Sequence, residues 1–276
     1  MNRQRKILLL FILLIMFIAL PCSAPGAINP LIVKTSVTLS GEKIQFAYEI
    51  KNAGMEAARH LTVTTFLAGK TDRSESLGEV ARDALAHYRC AFDIAGMPPG
   101  IYTPAVRVDF GDSGGPHRIY HFSSVTLKAE SAKKDADPLN IKLKSPAFNR
   151  KSFWQPRGKL ELTLKNSSPQ PAKPVLIFFL PDGFNVAEPE KVYTLKAGEE
   201  LMLKIPVSFN HVKAVESDYW ALAWHETGGI HYSQLITGVI RVGESPVYFK
   251  LFLVVSAVVV LAAAIIYALR RRRNAG

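Results

Sequence analysis

Apolar and polar residues alternate along most of this chain. Ile44, Phe46, Tyr48 and Ile50 take every second position, with Gln45, Ala47 and Glu49 between them. The same beat returns at Leu160, Leu162 and Leu164, at Leu201, Leu203, Ile205, Val207 and Phe209, and at Trp220, Leu222 and Trp224. A period of two predicts strands with one buried side. Clusters rich in turn formers (NAG, GMPPG, DSGG, NSSPQP, TGG) separate the runs. In the first part of the chain, strands are expected near 31–39, 43–51, 60–67, 74–80, 86–94, 101–110 and 117–127. No interior stretch carries a helical period. About seven short strands per hundred residues is the pattern of an immunoglobulin-like β-sandwich, so the fold class is read as all-β.

The pattern also repeats at long range. FAYEIKNAGMEAARHLTVTTFLAG (46–69) lies over LELTLKNSSPQPAKPVLIFFLPDG (160–183) without gaps, at an offset of 114. Ile50 then falls on Leu164, Lys51-Asn52 on Lys165-Asn166, Ala58 on Ala172, Leu61 on Val175 and Val63 on Ile177. Further on, Val106, Val108 and Phe110 fall on Trp220, Leu222 and Trp224, and His117 on His231. This predicts two tandem sandwiches, at 27–128 and 138–243, joined by a polar linker at 129–137. On this alignment, Trp220 and Trp224 are expected in the core of the second.

Those paired segments resemble the N-terminal half of CARDB- or NEW3-type Ig-like modules of exported prokaryotic proteins. In such modules a strand ending in an Asn-x-Gly turn precedes a strand that begins after a small residue. Ser167-Ser168 in the second copy stand where Ala53-Gly54 stand in the first. The resemblance implies an extracytoplasmic interaction or spacer module.

Both ends break the alternating pattern. MNRQRK is followed by an unbroken apolar run from Ile7 to Leu20 and by the small residues of PCSAPGA. Fourteen helical residues span about 21 Å, too short for a bilayer core, so residues 1–26 read as a signal peptide cleaved between Ala24 and Ala27. Near the other end, Leu251 to Leu269 carries no charge and would span about 28 Å as a helix. Arg270, Arg271, Arg272 and Arg273 follow directly. By the positive-inside rule they hold the tail, 270–276, in the cytoplasm, which makes 247–269 the expected transmembrane helix and the lipid bilayer a partner. A plasma (inner) membrane protein with a periplasmic or extracellular ectodomain results. A cell-surface sorting tail is the competing reading, but no LPxTG-type motif is present.

Charge changes the picture little once the ends are set aside. The net charge is +11, yet Arg3, Arg5 and Lys6, with Lys250 and the four tail arginines, account for most of it. The excess therefore serves topology and argues against a nucleic-acid partner. Of two cysteines, Cys22 leaves with the signal. Cys90 shares its parity with Tyr88, Phe92 and Ile94, so it is expected to face inward as a small hydrophobe.

One hexapeptide suggests chemistry. GDSGGP (111–116) is the sequence around the nucleophilic serine of chymotrypsin-like proteases, which raises a remote serine-hydrolase alternative at Ser113. At offset 114 it lies over HETGGI (225–230), and both follow a strand ending in a large aromatic. A hairpin turn using Gly-Gly for its positive φ accounts for both copies. His87, 26 residues before Ser113, is expected to point outward, and neither Asp93 nor Asp109 is favoured by spacing. His117 and His121 share a strand face and could be joined by His225 or His231 as metal ligands only if the two sandwiches folded back on each other. Strand histidines at a hairpin are more often solvated or capping groups, and His225-Glu226 does not start an HExxH motif. No cofactor motif is present. Trp154, in an irregular basic segment, could form a sugar-stacking face with Tyr219 or Tyr232, which leaves polysaccharide as an alternative ligand. The sequence is best read as a non-catalytic envelope protein that presents its two modules to another envelope protein or complex.

Overall fold

The computed structural model describes residues 31–128, 137–144, 147–148, 157–209, 216–242, 252–261 and 264. The first part contains β1 (Leu31–Ser40), β2 (Lys43–Asn52), β3 (Arg59–Leu67), β4 (Lys70–Arg73), β5 (Leu85–Asp93), β6 (Gly100–Tyr102), β7 (Ala105–Asp112), β8 (Gly115–Phe122) and β9 (Val125–Leu127). After the linker come β10 (Leu139–Lys144), β11 (Ala147–Phe148), β12 (Arg157–Asn166), β13 (Val175–Phe179), β14 (Phe184–Val186), β15 (Glu190–Val192), β16 (Glu200–Phe209), β17 (Glu216–Thr227) and β18 (Ile230–Val242). The protein is an all-β sandwich assembly, as the alternation predicts. The expected strand at 74–80 is absent. Its place is taken by β4, and Val80 makes only an isolated bridge to Ala58.

Alternation places the cores. In the first half, sheet β1-β2-β5 faces sheet β4-β3-β7-β8. Ile44, Phe46, Tyr48 and Ile50 of β2 pack with Leu61 and Val63 of β3 and with Val106 and Val108 of β7. Cys90 is buried here, as expected, and its thiol lies 3.5 Å from Thr65 Oγ1. In the second half, Leu160, Leu162 and Leu164 of β12 pack with Leu176 and Phe178 of β13 and with Tyr219, Ala221 and Ala223 of β17. Tyr219 can turn inward because Gly238 stands opposite it. A Cβ at 238 would lie 2.5 Å from the Tyr219 ring.

The offset of 114 holds perfectly for β2 and β12 and for the bridges at Ala58 and Ala172. It then fails for a physical reason. A β-bulge between Arg59 and Thr62, with His60 at φ 54°, adds one residue to β3. A one-residue shift turns every side chain to the other face. Leu61 and Val63 therefore point into the first core, while Val175 and Ile177, their expected counterparts, point out of the second. Trp220, Leu222 and Trp224 likewise leave the core expected for them. A third apolar cluster holds Val175, Ile177, Phe179 and Leu222 with Trp220 and Trp224, together with Ala105, Phe66, Tyr120 and Phe122 of the first half. The two halves meet on this cluster.

The sheet β15-β13-β17-β18 continues across that boundary. β6 of the first half joins β18 as a parallel neighbour at His231 and Gly100, and β9 pairs β6 beyond it. The predicted signal peptide, most of the linker and most of the predicted transmembrane segment fall outside the described residues. Residues 252–261 are helical. Among the described residues, no helix is long and apolar enough to cross a membrane.

Candidate functional site

Ser113 sits at the tip of the β7–β8 hairpin, between Asp112 and Gly115, which pair with each other. Its hydroxyl donates to Glu56 Oε1 at 2.7 Å, and its amide donates to Glu56 Oε2 at 3.1 Å. The nearby imidazole, His117, is bonded instead to Asp112 Oδ1 at 2.7 Å. Burial pushes the Asp112 carboxyl up, but His117 and the Gly114 and Gly115 amides outweigh it and hold it below the ordinary value. His87 lies exposed on β5, in the sheet on the far side of the core. The imidazole that a chymotrypsin-like triad places on its serine is therefore not on Ser113. The hydroxyl is held by Glu56, whose carboxyl that same bond keeps below its ordinary value and so makes a weaker base. The expected turn chemistry is only half right. Gly228 and Gly229 have φ of 60° and 75°, as a tight primed turn needs, whereas of the first pair only Gly115 has positive φ. In the first hairpin, the Asp112 carboxylate accepting the Gly114 amide at 2.7 Å shapes the turn instead. His117 and His231 are not equivalent either, since Phe110 faces His117 while Glu226 faces His231.

Replacement of Ser113 by Ala is therefore expected to leave reaction with a fluorophosphonate probe at background in both proteins. Stoichiometric labelling of the unmodified chain at Ser113 would reinstate the hydrolase alternative.

Of the residues expected in a stacking face, Tyr219 and Tyr232 are among the described ones. Tyr219 is fully buried in the second core. Tyr232 is half-buried and stacks on His225, with centroids 5.3 Å apart. Trp154 lies outside the described residues. His225 is itself buried, bonded through Nε2 to Asp137 Oδ1 at 2.8 Å and through Nδ1 to Thr227 at 3.1 Å. Asn166, the first residue of a glycosylation sequon, is also buried. Its amide nitrogen donates to Gln170 O and Lys196 O at 2.8 and 3.0 Å.

The most elaborate arrangement is the junction between the halves. Phe179 of β13 meets Phe66, Tyr120 and Phe122 edge-on, with centroids 5.2–5.8 Å apart. Trp220 meets Tyr120 edge-on and Phe122 at a tilt of 47°, with centroids 5.8 and 5.4 Å apart. Polar contacts ring this aromatic centre. Tyr120 Oη donates to Leu180 O at 3.1 Å, the Arg118 amide to Asp182 Oδ2 at 2.6 Å, and the His231 amide to Pro99 O at 2.8 Å. Thr103 and Ser233 hydroxyls lie 2.8 Å apart. An apolar centre inside a polar rim is the anatomy of a stable protein interface. Beside it runs a groove of about 290 Å³ with Phe66, Arg107, Arg118, Tyr120, Phe184 and Glu190 among its walls. Asp109 accepts from both Arg107 Nε and Arg118 Nε, at 2.8 and 2.7 Å.

No family model and no curated protein matches the chain. Among solved structures, it is similar to the alpha-2-macroglobulin of E. coli, with 12% identity over 76% of this chain and a TM-score of 0.29. A Salmonella alpha-2-macroglobulin mutant gives 14% identity over 77% and a TM-score of 0.31. The chain spans only 16% of each macroglobulin. A protein of unknown function from Porphyromonas gingivalis W83 is covered over its whole length, with 12% identity over 77% of this chain and a TM-score of 0.31. At these scores the likenesses carry no argument about activity, ligand or partner.

The junction contains one group that links it to pH. The His231 ring is buried, stacked on Tyr102 at 3.7 Å and facing Trp224 at 5.6 Å. Its Nδ1 has no hydrogen-bond partner, and the nearest carboxylate oxygen, Glu226 Oε1, is 3.9 Å away. Burial, with a smaller contribution from His225, pushes its pKa down to about 4. An unfolded histidine binds its proton near 6.5, the folded one only near 4. Folding is thus favoured above pH 6.5, and this contribution fades as pH falls from 6.5 to 4, by an amount of order 3 kcal/mol. Melting temperatures measured across that window should fall with pH, and His231→Gln should flatten the slope. An unchanged slope in the variant would assign the loss to other groups.

Proposed function

We propose that this chain is a single-pass envelope protein with two tandem immunoglobulin-like sandwiches outside the cytoplasm. It is anchored in the plasma membrane by residues 247–269, with Arg270 to Arg273 on the cytoplasmic side. Its role is to bind or position another envelope protein or complex without catalysing a reaction. One observation carries the anchoring. In the helix 252–261, Phe252, Leu253, Val254, Val255, Val258, Val259, Val260 and Leu261 are all exposed, by 51–65%. A helix apolar all round and uncovered by protein has a natural solvent in hydrocarbon. The flanking uncharged sequence, from Leu251 to Leu269, supplies the length. The non-catalytic role draws support from Ser113, whose hydroxyl is held by Glu56. The polysaccharide alternative loses Tyr219 to the core.

Membrane fractionation followed by alkaline carbonate extraction tests the proposal. The full chain should remain in the pellet. A Val255→Asp, Val259→Asp variant should move to the soluble fraction, because each carboxylate near a helix centre costs about 3 kcal/mol to insert. Release of the unmodified chain by carbonate would refute the anchor.

A further inference from the structure

Exposed strand edges invite pairing with another chain, and proteins guard them with charge, proline, bulges or brevity. Most edges here are guarded in that way. β4 reads KTDR, β8 carries Pro116, His117 and Arg118, β5 carries Arg89 and Asp93, β10 is six residues with two lysines, and β9, β14 and β15 have three residues each. β1 is the exception. It runs for ten residues, LIVKTSVTLS, with Lys34 as its only charge and neither proline nor bulge. Among the described residues, nothing pairs with its side away from β2.

The inner face of β1 is also unfinished. Val37 and Leu39 stand opposite Phe46 and Ile44, which are wholly buried, yet they are themselves 36% and 50% exposed. The sheet they belong to has three strands, and the sheet facing it has four. Along this face the residues are Leu31, Val33, Thr35, Val37 and Leu39, a sequence that reads the same in both directions about Thr35. Thr35 Oγ1 has no hydrogen-bond partner. A two-fold interface needs this self-complementarity, since each residue must suit its counterpart on an identical surface.

We infer that the free edge of β1 pairs antiparallel with β1 of a second copy, centred on Thr35, to form a symmetric dimer with a continuous six-stranded sheet. In that register Leu31 of one copy faces Leu39 of the other, Val33 faces Val37, and the two Thr35 side chains face each other. Lys34 faces Ser36 on the outer side, so no like charges stand directly opposite. The added strand covers Val37 and Leu39, and paired threonines are favourable cross-strand neighbours. An edge-to-edge contact lies at the small end of specific interfaces, so the dimer dissociates readily on dilution.

The test uses the full chain in detergent micelles with Cys22→Ser and Cys90→Ala, so that introduced thiols act alone. Directly opposed residues have Cα atoms about 4.5–5.5 Å apart, within the reach of a disulfide. Thr35→Cys should give a covalent dimer under mild oxidation. Lys34→Cys alone should not, but should when mixed with Ser36→Cys. Sedimentation should show a concentration-dependent dimer that Val37→Lys weakens at least tenfold. This exposed site tolerates lysine without loss of fold, as circular dichroism would verify. A monomer at every concentration, equal crosslinking of Thr35→Cys and Lys34→Cys, or a dimer untouched by Val37→Lys would each overturn the inference.

Discussion

Gly100→Ala is expected to unlock the two halves of the protein while leaving each core folded. Gly100 lies at φ 150°, a conformation that favours glycine. A Cβ there would stand 2.0 Å from the carbonyl oxygen of His231 and 2.8 Å from its backbone carbon and nitrogen. These are main-chain atoms held in a ladder, so they cannot rotate away as a side-chain tip would. Relief requires β6 to part from β18, at a cost of about 3 kcal/mol or more. The His231–Tyr102 stack and the Thr103–Ser233 hydrogen bond go with that contact. Small-angle scattering should report a larger radius for the variant, with far-ultraviolet circular dichroism unchanged. An unchanged radius would mean that the aromatic centre alone holds the halves together.

Asn166→Ala should be the most damaging single change within a sandwich, and Asn52→Ala its equal in the other half. Asn52 donates to Glu56 O and Val80 O, both at 2.8 Å, and accepts the Gly54 amide at 2.9 Å. Asn166 repeats the scheme with Gln170 O, Lys196 O and the Ser168 amide. Both residues are almost wholly buried. One side chain thus ties the end of β2 or β12 to two loops and satisfies three main-chain groups. Truncation removes all three bonds. Val80 O and Lys196 O keep the Ala58 and Glu199 amides, while the other two groups in each set lose this partner, at about 1–3 kcal/mol each before relaxation. A fall in melting temperature of about 10–20 °C is the expected result. Asn→Asp should not rescue it, because the lost amide is the donor to both carbonyls. A fall of only a few degrees would show that the loops rearrange to bond elsewhere.

These asparagines were legible in the sequence, because turn chemistry is local. Lys51-Asn52 and Lys165-Asn166 mark the same strand end in both copies, and β2 and β12 begin and end at the expected offset. Facing direction was not legible. It depends on one extra residue at the His60 bulge, which no composition rule places. A signal for the junction was nonetheless present. VLIFF in β13 and the run from Tyr219 to Trp224 in β17 are apolar at both parities, and a strand apolar on both sides must be covered on both. Reading Trp220, Leu222 and Trp224 as one inward face accounted for half of that run and left Tyr219, Ala221 and Ala223 unexplained. The GDSGGP turn illustrates the opposite error. A hexapeptide can match a catalytic sequence, yet triad chemistry depends on a partner imidazole; at Ser113 Glu56 holds the hydroxyl, and the nearby His117 is bonded to Asp112.

The junction also fixes how the two halves are presented. Two sandwiches on a flexible linker would present two independent surfaces. Joined through Phe179, Trp220, Tyr120 and the β6–β18 pair, they present one surface with a fixed groove at Arg107 and Arg118.

Pulsed electron spin resonance on the full chain tests this locking most directly. Nitroxides are placed at the exposed residues Glu42 and Lys196, one in each half, with native cysteines removed and labelled protein diluted into unlabelled. A single narrow distance distribution at pH 7, broadened by Gly100→Ala, is the predicted result. A broad distribution in the unmodified sequence would contradict it, since the halves would then move independently.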